Sequence, residues 1–533
     1  MLKKLLILFS KRNIKLTIFF IFALNVFLRI PAIFQELPPN TFCDEDLIIN
    51  YAHKNFNENK IYYYGVSQIN YYIVVLPAYL IELLTNEKLS KSQFIILARL
   101  LGPVFLNSLS SIIIFSVLLT VFESYKISIL FTFLYTFSPM VLGLSRIFYP
   151  DHYMIIFSTI CLLLSLLSLK GISNYYSTIF GSLAVAIASS IKLHGLVLII
   201  PLIISKINFS KRFNEHIFHI IKSSLYQNLP LIMSTLIFYI LLNPFIFIEG
   251  ISVLKEYIAW KSSIYLSDPE YLVSDTPSFF YFLITFFSSF GICSSLLLFN
   301  GLIRLFRNDF QLFIILISCP LVLILYFGQF KFVVIRNMIL ALPFALILIA
   351  YGYCKSINNI KNIGLRYFMT LLLFLEPVSK SLFSFFSDFR IDSRTKTREW
   401  VSKNIKEGSI IASNRGCFQP FPFDINKYEL VDLGFSSTML YPDDYSKIDY
   451  LIIDSWFGDM VGDSTHKSMQ SWQIIFTEKI FNNLTYNNAP GVFHENKYKK
   501  WLIRNKLFKH ISTVRGYGPD IFIYENKNRL LHN

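Results

Sequence analysis

The sequence predicts a polytopic α-helical membrane protein that carries a small α/β domain at its C-terminal end. Three observations predict it. Of the 533 residues, 54% are hydrophobic, and the mean hydropathy is +0.51, more apolar surface than a soluble core can hide. Apolar runs recur from near Leu16 to near Leu382, many close to or beyond the roughly 18 residues that a membrane helix needs. From residue 383 onward the runs shorten and Asp, Asn, Gly and Pro return, in a stretch long enough to bury a core of its own. The expected division is a membrane domain over 1–382 and an α/β domain over 383–533.

The basic start, MetLeuLysLys through Lys15, leads into an apolar stretch from Leu16 to Ile33 with no small-residue cleavage site after it. This pattern fits a retained first helix better than a signal peptide. Breakers and runs then place spans near 16–33, 93–121, 127–144, 153–169, 176–191, 195–206, 229–248, 278–300, 311–328, 333–351 and 366–382, about eleven in all. The segment 69–84 is short and holds Pro77, so it is expected as an interfacial helix within a long first outer loop, 34–92. IleLysLeuHisGly interrupts the run from 176 to 206. Two short helices in a hairpin are expected there rather than one helix with Lys192 buried.

With the N-terminus in the cytoplasm, the inner connections between residues 122 and 366 hold eleven basic residues, Lys126, Lys170, Lys206, Lys211, Arg212, Lys222, Arg304, Arg307, Lys355, Lys361 and Arg366. The outer connections hold six, Arg146, Lys192, Lys255, Lys261, Lys331 and Arg336. This asymmetry sets the orientation. An odd number of spans then puts residues 383–533 on the non-cytoplasmic side, the outer face of the plasma or inner membrane if the host is bacterial. There, 397–408 fits a helix ended by glycine, and 409–413, 450–454 and 520–525 fit strands.

The formal charge of +15 is spread over short connections rather than along one stripe, which excludes a nucleic-acid surface. The six cysteines, 43, 161, 293, 319, 354 and 417, show no CxxC spacing and predict no metal cluster or disulfide scaffold. No Walker A loop, GxSxG or GxGxxG occurs, which argues against a nucleotide-driven pump or a serine hydrolase.

Candidate chemistry gathers at the outer helix ends. Asp44, Glu45 and Asp46 follow the first span. Three adjacent acids beside a low-dielectric surface repel one another, which raises their affinity for protons and suits a general base; a solvated acidic turn capping a helix near Leu47 is the alternative. Asp151, in SerArgIlePheTyrProAspHisTyr, fits both a helix cap and a functional acid on the same face. Lys192, Lys331 and Arg336 lie at outer helix boundaries, where isolated cations either snorkel or meet an anion. Several on one face near two acids point to a lipid-phosphate site. His152 and His194 have no spaced ligand set around them, so no metal site is assigned, and a divalent cation shared by Asp44, Glu45 and Asp151 stays an alternative.

Together these stretches resemble the GT-C glycosyltransferases, in particular the group of the dolichyl-phosphate-mannose protein mannosyltransferases and the lipid A aminoarabinose transferase. PheCysAspGluAspLeuIleIleAsnTyrAla at 42–52 is similar to the family's acidic motif in the first outer loop, and SerArgIlePheTyrProAsp at 145–151 to the stretch with the second acid. AlaArgLeuLeuGly at 98–102, AlaSerSerIleLysLeuHisGly at 188–195 and ArgAsnMetIleLeuAlaLeuProPhe at 336–344 resemble later membrane motifs. Segments 398–409, 449–455 and 518–524 resemble the outer domain of bacterial and archaeal members. The resemblance covers nearly the whole chain. It implies transfer of a sugar from a polyprenyl-phosphate carrier to an acceptor hydroxyl on the non-cytoplasmic face, with Asp44 as base and Glu45 and Asp151 supporting it. Lys192, Lys331 and Arg336 would hold the carrier phosphate, with Arg146 as a helper; no cofactor is assigned, and His152, immediately after Asp151, leaves a divalent cation as the alternative. Asp46 departs from the family's AspGlu pair and leaves the choice of base among three carboxylates. The sugar is unnamed, as is the acceptor, whether protein, lipid or polysaccharide. A transporter or flippase of an anionic lipid-linked sugar is the competing class; it predicts inverted repeats and charges near the midplane, and the charges here lie at one surface with no repeat. A third class is an assembly factor whose outer domain binds a partner.

Overall fold

The computed structural model describes residues 12–34, 68–145, 148, 150–172, 174–207, 217–243, 289–328, 335–357, 360–387, 389, 391, 393–413, 426–432, 447–454, 508–514 and 521–526. For some residues at segment edges, Asp151 and Arg336 among them, only the backbone is described.

Helix α1 spans Arg12–Ile33 and α2 spans Gln68–Thr85. Helix α2 coincides with the expected interfacial segment and sends Val74, Val75 and Ala78 into the core. Helix α3, Lys91–Arg99, starts on a capping box between Ser90 and Gln93, which satisfies two backbone donors reciprocally. It continues through a π-helical turn, Leu100–Leu106, into α4, Asn107–Phe122. Pro103 lies in that turn, where the lost N–H of proline is accommodated by the widened backbone.

The expected span 127–144 is divided into α5, Tyr125–Thr136, and α6, Pro139–Leu144. Ser138 is extended and caps α6, with Pro139 in its first turn; the residue before a proline is pushed out of the helical region, so the helix breaks there. Helix α7, Pro150–Leu169, and α8, Asn174–Ile191, form an antiparallel pair across the turn at Gly171, whose φ is +72°. The chain breaks at Lys192, which is extended, and resumes as a 3₁₀ turn, Leu193–Leu198, and α9, Ile199–Ser205. This is the hairpin expected over 176–206.

Helix α10 covers Ile217–Leu242, α11 Ile292–Asn308 and α12 Phe310–Phe327. A 3₁₀ segment, Ile335–Ala341, leads into α13, Leu342–Ile357, and α14 covers Ile363–Ser387. Among the described residues, five helical stretches are long and apolar enough to cross a bilayer, and five shorter apolar helices, Tyr72–Thr85, Tyr153–Leu169, Tyr175–Ile191, Leu193–Ser205 and Tyr226–Leu242, accompany them. The break at Ser138 divides one of the expected spans, 127–144, and the break at Lys192 separates the two expected at 176–191 and 195–206. Helix α7 is central: it packs on α4, α8, α9, α13 and the 335–341 segment.

After α14, helix α15, Ser393–Asn404, accompanies a five-stranded sheet of order β2-β1-β3-β5-β4. Its strands are β1 Ile410–Ser413, β2 Glu429–Asp432, β3 Tyr450–Asp454, β4 Phe508–Val514 and β5 Ile521–Asn526. Strand β1 runs parallel to β2 and β3, and β5 runs antiparallel to β3 and β4. Val401 and Ile405 of α15 join Ile411, Ile452 and Ile523 in one small core. Asp449 fixes the start of β1 by accepting from the Ile410 N–H at 2.8 Å, and Asn526 closes the other side by donating to the Ile448 carbonyl.

Candidate active site

Asp44, Glu45, Asp46, Arg146 and Lys331 lie outside the described residues. Three of the candidates have described backbones: Asp151 in the first turn of α7, Lys192 at the break after α8, and Arg336 in the 335–341 segment. Four contacts bring these places to one end of the bundle.

The first is the α7/α8 hairpin, whose turn at 170–172 sets the end of α8, and so Lys192, beside the start of α7. The second is His194, whose ring meets Phe327 edge to face at 5.3 Å. Since Phe327 is the last residue of α12, α12 finishes at this end, and the 335–341 segment that follows starts there. Third, Ser158 Oγ donates to the Leu340 carbonyl at 2.6 Å. Asp151 lies seven residues above that bond, about 10 Å at the α-helical rise, and Arg336 lies four residues above it, about 8 Å at the 3₁₀ rise. The two backbones therefore sit at closely similar depth.

The fourth contact is Arg99. It is 1% exposed, and its Nη1 donates to the carbonyls of Ile33 at 3.1 Å and Ala32 at 3.5 Å, where α1 leaves its last carbonyls without intrahelical donors. A guanidinium at a helix C-terminus also matches the helix dipole. The π-helical turn beyond it faces the start of α7, for a Cβ on Gly102 would lie 2.8 Å from the Phe148 ring and 3.3 Å from Tyr153. Thus α1 ends at the same end of the bundle, eleven residues before Asp44 in the sequence.

Arg29 and Arg99 were not among the residues expected from the sequence to matter. Arg29 is fully buried and donates to the carbonyl and the side-chain oxygen of Asn25. Asn25 in turn donates to Thr136 Oγ1 and accepts from Ser111. The signal was present, since a charged residue within an apolar run must face the interior and find partners. Glu376 and Lys380 carry the same signal at i,i+4 spacing in α14, where they form an ion pair. Glu376 also accepts from the Ile292 N–H at 2.8 Å and so caps α11, whose own N-cap, Gly291, has no side chain to do so.

This broken-helix architecture is similar in fold to that of solved membrane oligosaccharyltransferases, and the chain is an integral, multi-pass membrane protein. The archaeal oligosaccharyltransferase AglB of Archaeoglobus fulgidus, solved with an inhibitory peptide and a dolichol-phosphate, is similar over 87% of this chain and 71% of its own, at 10% identity and a TM-score of 0.51. The oligosaccharyltransferase of the same organism tethered to an acceptor peptide with an NVT sequon is similar over 97% of this chain and 74% of its own, at 10% identity and a TM-score of 0.51. ArnT of Cupriavidus metallidurans bound to undecaprenyl phosphate matches 96% of this chain and 98% of its own at 9% identity and a TM-score of 0.48. No protein-family model matches the sequence, and no curated protein does.

Proposed function

We propose that this chain transfers a sugar from a polyprenyl-phosphate carrier to an acceptor hydroxyl on the non-cytoplasmic face of the membrane. The observation that carries the reading is the convergence, at one end of the bundle, of the start of α7, the Lys192 break, the 335–341 segment and the end of α1. Each brings one part of the chemistry: an acid, two cations, and the chain that leads to the Asp44–Asp46 triplet. The likeness in fold to the archaeal oligosaccharyltransferase supports it.

In the proposed reaction the acceptor oxygen attacks the anomeric carbon, and the bond from that carbon to the carrier phosphate oxygen breaks. The electron pair leaves with the phosphate, and the hydroxyl proton passes to Asp44. Glu45 and Asp151 support the base. A phosphate leaving group needs compensation of developing charge more than it needs a proton, and Lys192, Lys331 and Arg336, aided by Arg146, supply it. Direct attack by an activated hydroxyl inverts the configuration at the anomeric carbon. Residues 383–533 then lie on the same side as the site.

The test is consumption of radiolabelled polyprenyl-phosphate sugars by the purified full chain in lipid nanodiscs, with a panel of acceptors, for wild type and Asp44→Asn. Loss of a general base lowers the rate by about 10² to 10⁴. Equal consumption by both proteins removes Asp44 from the role, and an unchanged rate in a chelator removes the alternative of a shared divalent cation.

A further inference from the structure

At the end of the bundle opposite Asp151 and Lys192, three helices bring five cations together. Between Ile292 and Thr370 the sequence holds a single acid, Asp309. Helices α11 and α13 run side by side and cross on two glycines: a Cβ on Gly301 would lie 2.0 Å from the Leu348 carbonyl oxygen, and one on Gly352 would lie 2.0 Å from that of Leu297. Three residues past this crossing stand Arg304 on α11 and Lys355 on α13, with Arg307 one turn beyond Arg304. Tyr353 and Thr370 share a hydrogen bond of 2.6 Å between α13 and α14, which brings Lys361 and Arg366, just before and within the first turn of α14, to the same end.

The inner-face bias that orients the chain accounts for the sign of this charge, and the helix dipole accounts for the placing of only part of it. A cation at the C-terminal end of a helix is favoured by the helix dipole, which accounts for Arg307 and Lys355. The dipole disfavours Lys361 and Arg366, which sit at the N-terminal end of α14. Among the described residues none of the five forms an ion pair, whereas Lys170 and Lys380 each meet a carboxylate.

Two of the five are also held in place. Arg304 Nε donates to Asn300 Oδ1 at 2.9 Å, and Asn300 is itself fixed by donating to Ser356 Oγ at 2.6 Å. Arg366 Nε donates to the Ile360 carbonyl. Each guanidinium is thus anchored by its Nε and keeps its Nη pair for a fork-shaped acceptor such as a phosphate. Phe306, Tyr367 and Phe368 are exposed around them, as aromatic residues are at the level of lipid headgroups. We infer that this end of α11, α13 and α14 is a binding surface for the headgroups of anionic phospholipids in the adjoining leaflet. It lies apart from the proposed carrier site and does not depend on the transferase reading.

The experiment uses the full chain in phosphatidylcholine bilayers and measures the association of spin-labelled phosphatidylglycerol relative to spin-labelled phosphatidylcholine. Wild type is expected to select phosphatidylglycerol. The variant Arg307→Gln/Lys355→Gln/Lys361→Gln, with changes confined to exposed positions, is expected to lose that selectivity, by up to about fivefold per charge removed. The charge-keeping variant Arg307→Lys/Lys355→Arg/Lys361→Arg is expected to retain it, which separates loss of charge from loss of fold. Selectivity that survives in the glutamine variant, or that wild type lacks, overturns the proposal.

Discussion

Ser158 holds Leu340: its hydroxyl donates to the Leu340 carbonyl at 2.6 Å across two fully buried positions. The bond answers a local deficit. Pro343 has no N–H with which to close a 3₁₀ bond back to Leu340, so that carbonyl needs a donor from elsewhere. Ser158→Ala removes the stronger of its two donors, the other being the Cys319 thiol at 3.9 Å, and is expected to cost about 0.5–1.5 kcal/mol, as for a typical intramolecular hydrogen bond. Ser158→Thr keeps the hydroxyl and is expected to recover most of the loss. Thermal unfolding of the three proteins in nanodiscs measures both effects. If alanine and threonine unfold alike, the bond contributes nothing to holding the Asp151 and Arg336 segments in register.

Gly195 sets how closely the Lys192 turn folds back on α8. A Cβ there would fall 2.4 Å from the carbonyl carbon of Ala188 and 2.5 Å from its oxygen, and backbone cannot give way as a side-chain tip can. Gly195→Ala is therefore expected to push the 193–198 turn off α8, shift Lys192 and weaken carrier binding tenfold or more, on the order of the 1–3 kcal/mol typical of overpacking. Gly181→Ala is the control, because its Cβ would meet only the movable Leu202 side chain, at 2.9 Å. Binding of a polyprenyl phosphate, followed by fluorescence, should separate the two; equal affinities would count against the placement of Lys192.

The parts of the fold that the sequence made legible are those with long-range regularity. Apolar runs bounded by breakers gave α1, α7, α8, α12 and α14 close to where they lie, and alternating apolar residues with turn signals gave β1, β3 and β5. Strands β2 and β4 were missed. Strand β2 is four residues long and includes two acids, Glu429 and Asp432, while β4 reads PheLysHisIleSerThrVal, too polar to stand out without its neighbour β5. The break at Lys192 was legible because a lysine and a glycine interrupt an apolar run. The break at Ser138 was not, although SerPro is a boundary signal, because the apolar run resumes at once. Arg99 lay in plain view, but its role on the end of α1 is set by a contact across 66 residues, which no local pattern contains.

The crossing of α11 and α13 predicts a non-additive pair. Each glycine admits the other helix's backbone, so a methyl at either position forces the helices apart. Gly301→Ala and Gly352→Ala are each expected to cost about 1–3 kcal/mol, as overpacking does. Once one substitution has separated the helices the second meets no clash, so the double variant should cost far less than the sum. Unfolding midpoints for the two single variants and the double variant test this. Additive losses would mean that the close approach is not shared.

Tyr450 gives the sheet a dependence on alkaline pH. Its ring is half-buried between β1 and β5, and its hydroxyl donates to Glu525 Oε1 at 3.3 Å. Burial first, then the negative charge of Glu525, the hydrogen bond to it, and Asp449, raise the phenol above its ordinary value of 10.0. The protonated form is the one the fold favours, so the stabilisation is complete below pH 10 and is lost as pH rises through the raised value. Tyr450→Phe removes the proton and with it this part of the pH dependence, at the expense of one partly exposed hydrogen bond. The difference in tyrosinate absorbance between wild type and Tyr450→Phe isolates this residue from the other 30 of the chain's 31 tyrosines, and it is expected to titrate above pH 10. A difference titrating at or below the ordinary value would show that Glu525 and burial do not act on Tyr450 as the 3.3 Å contact requires.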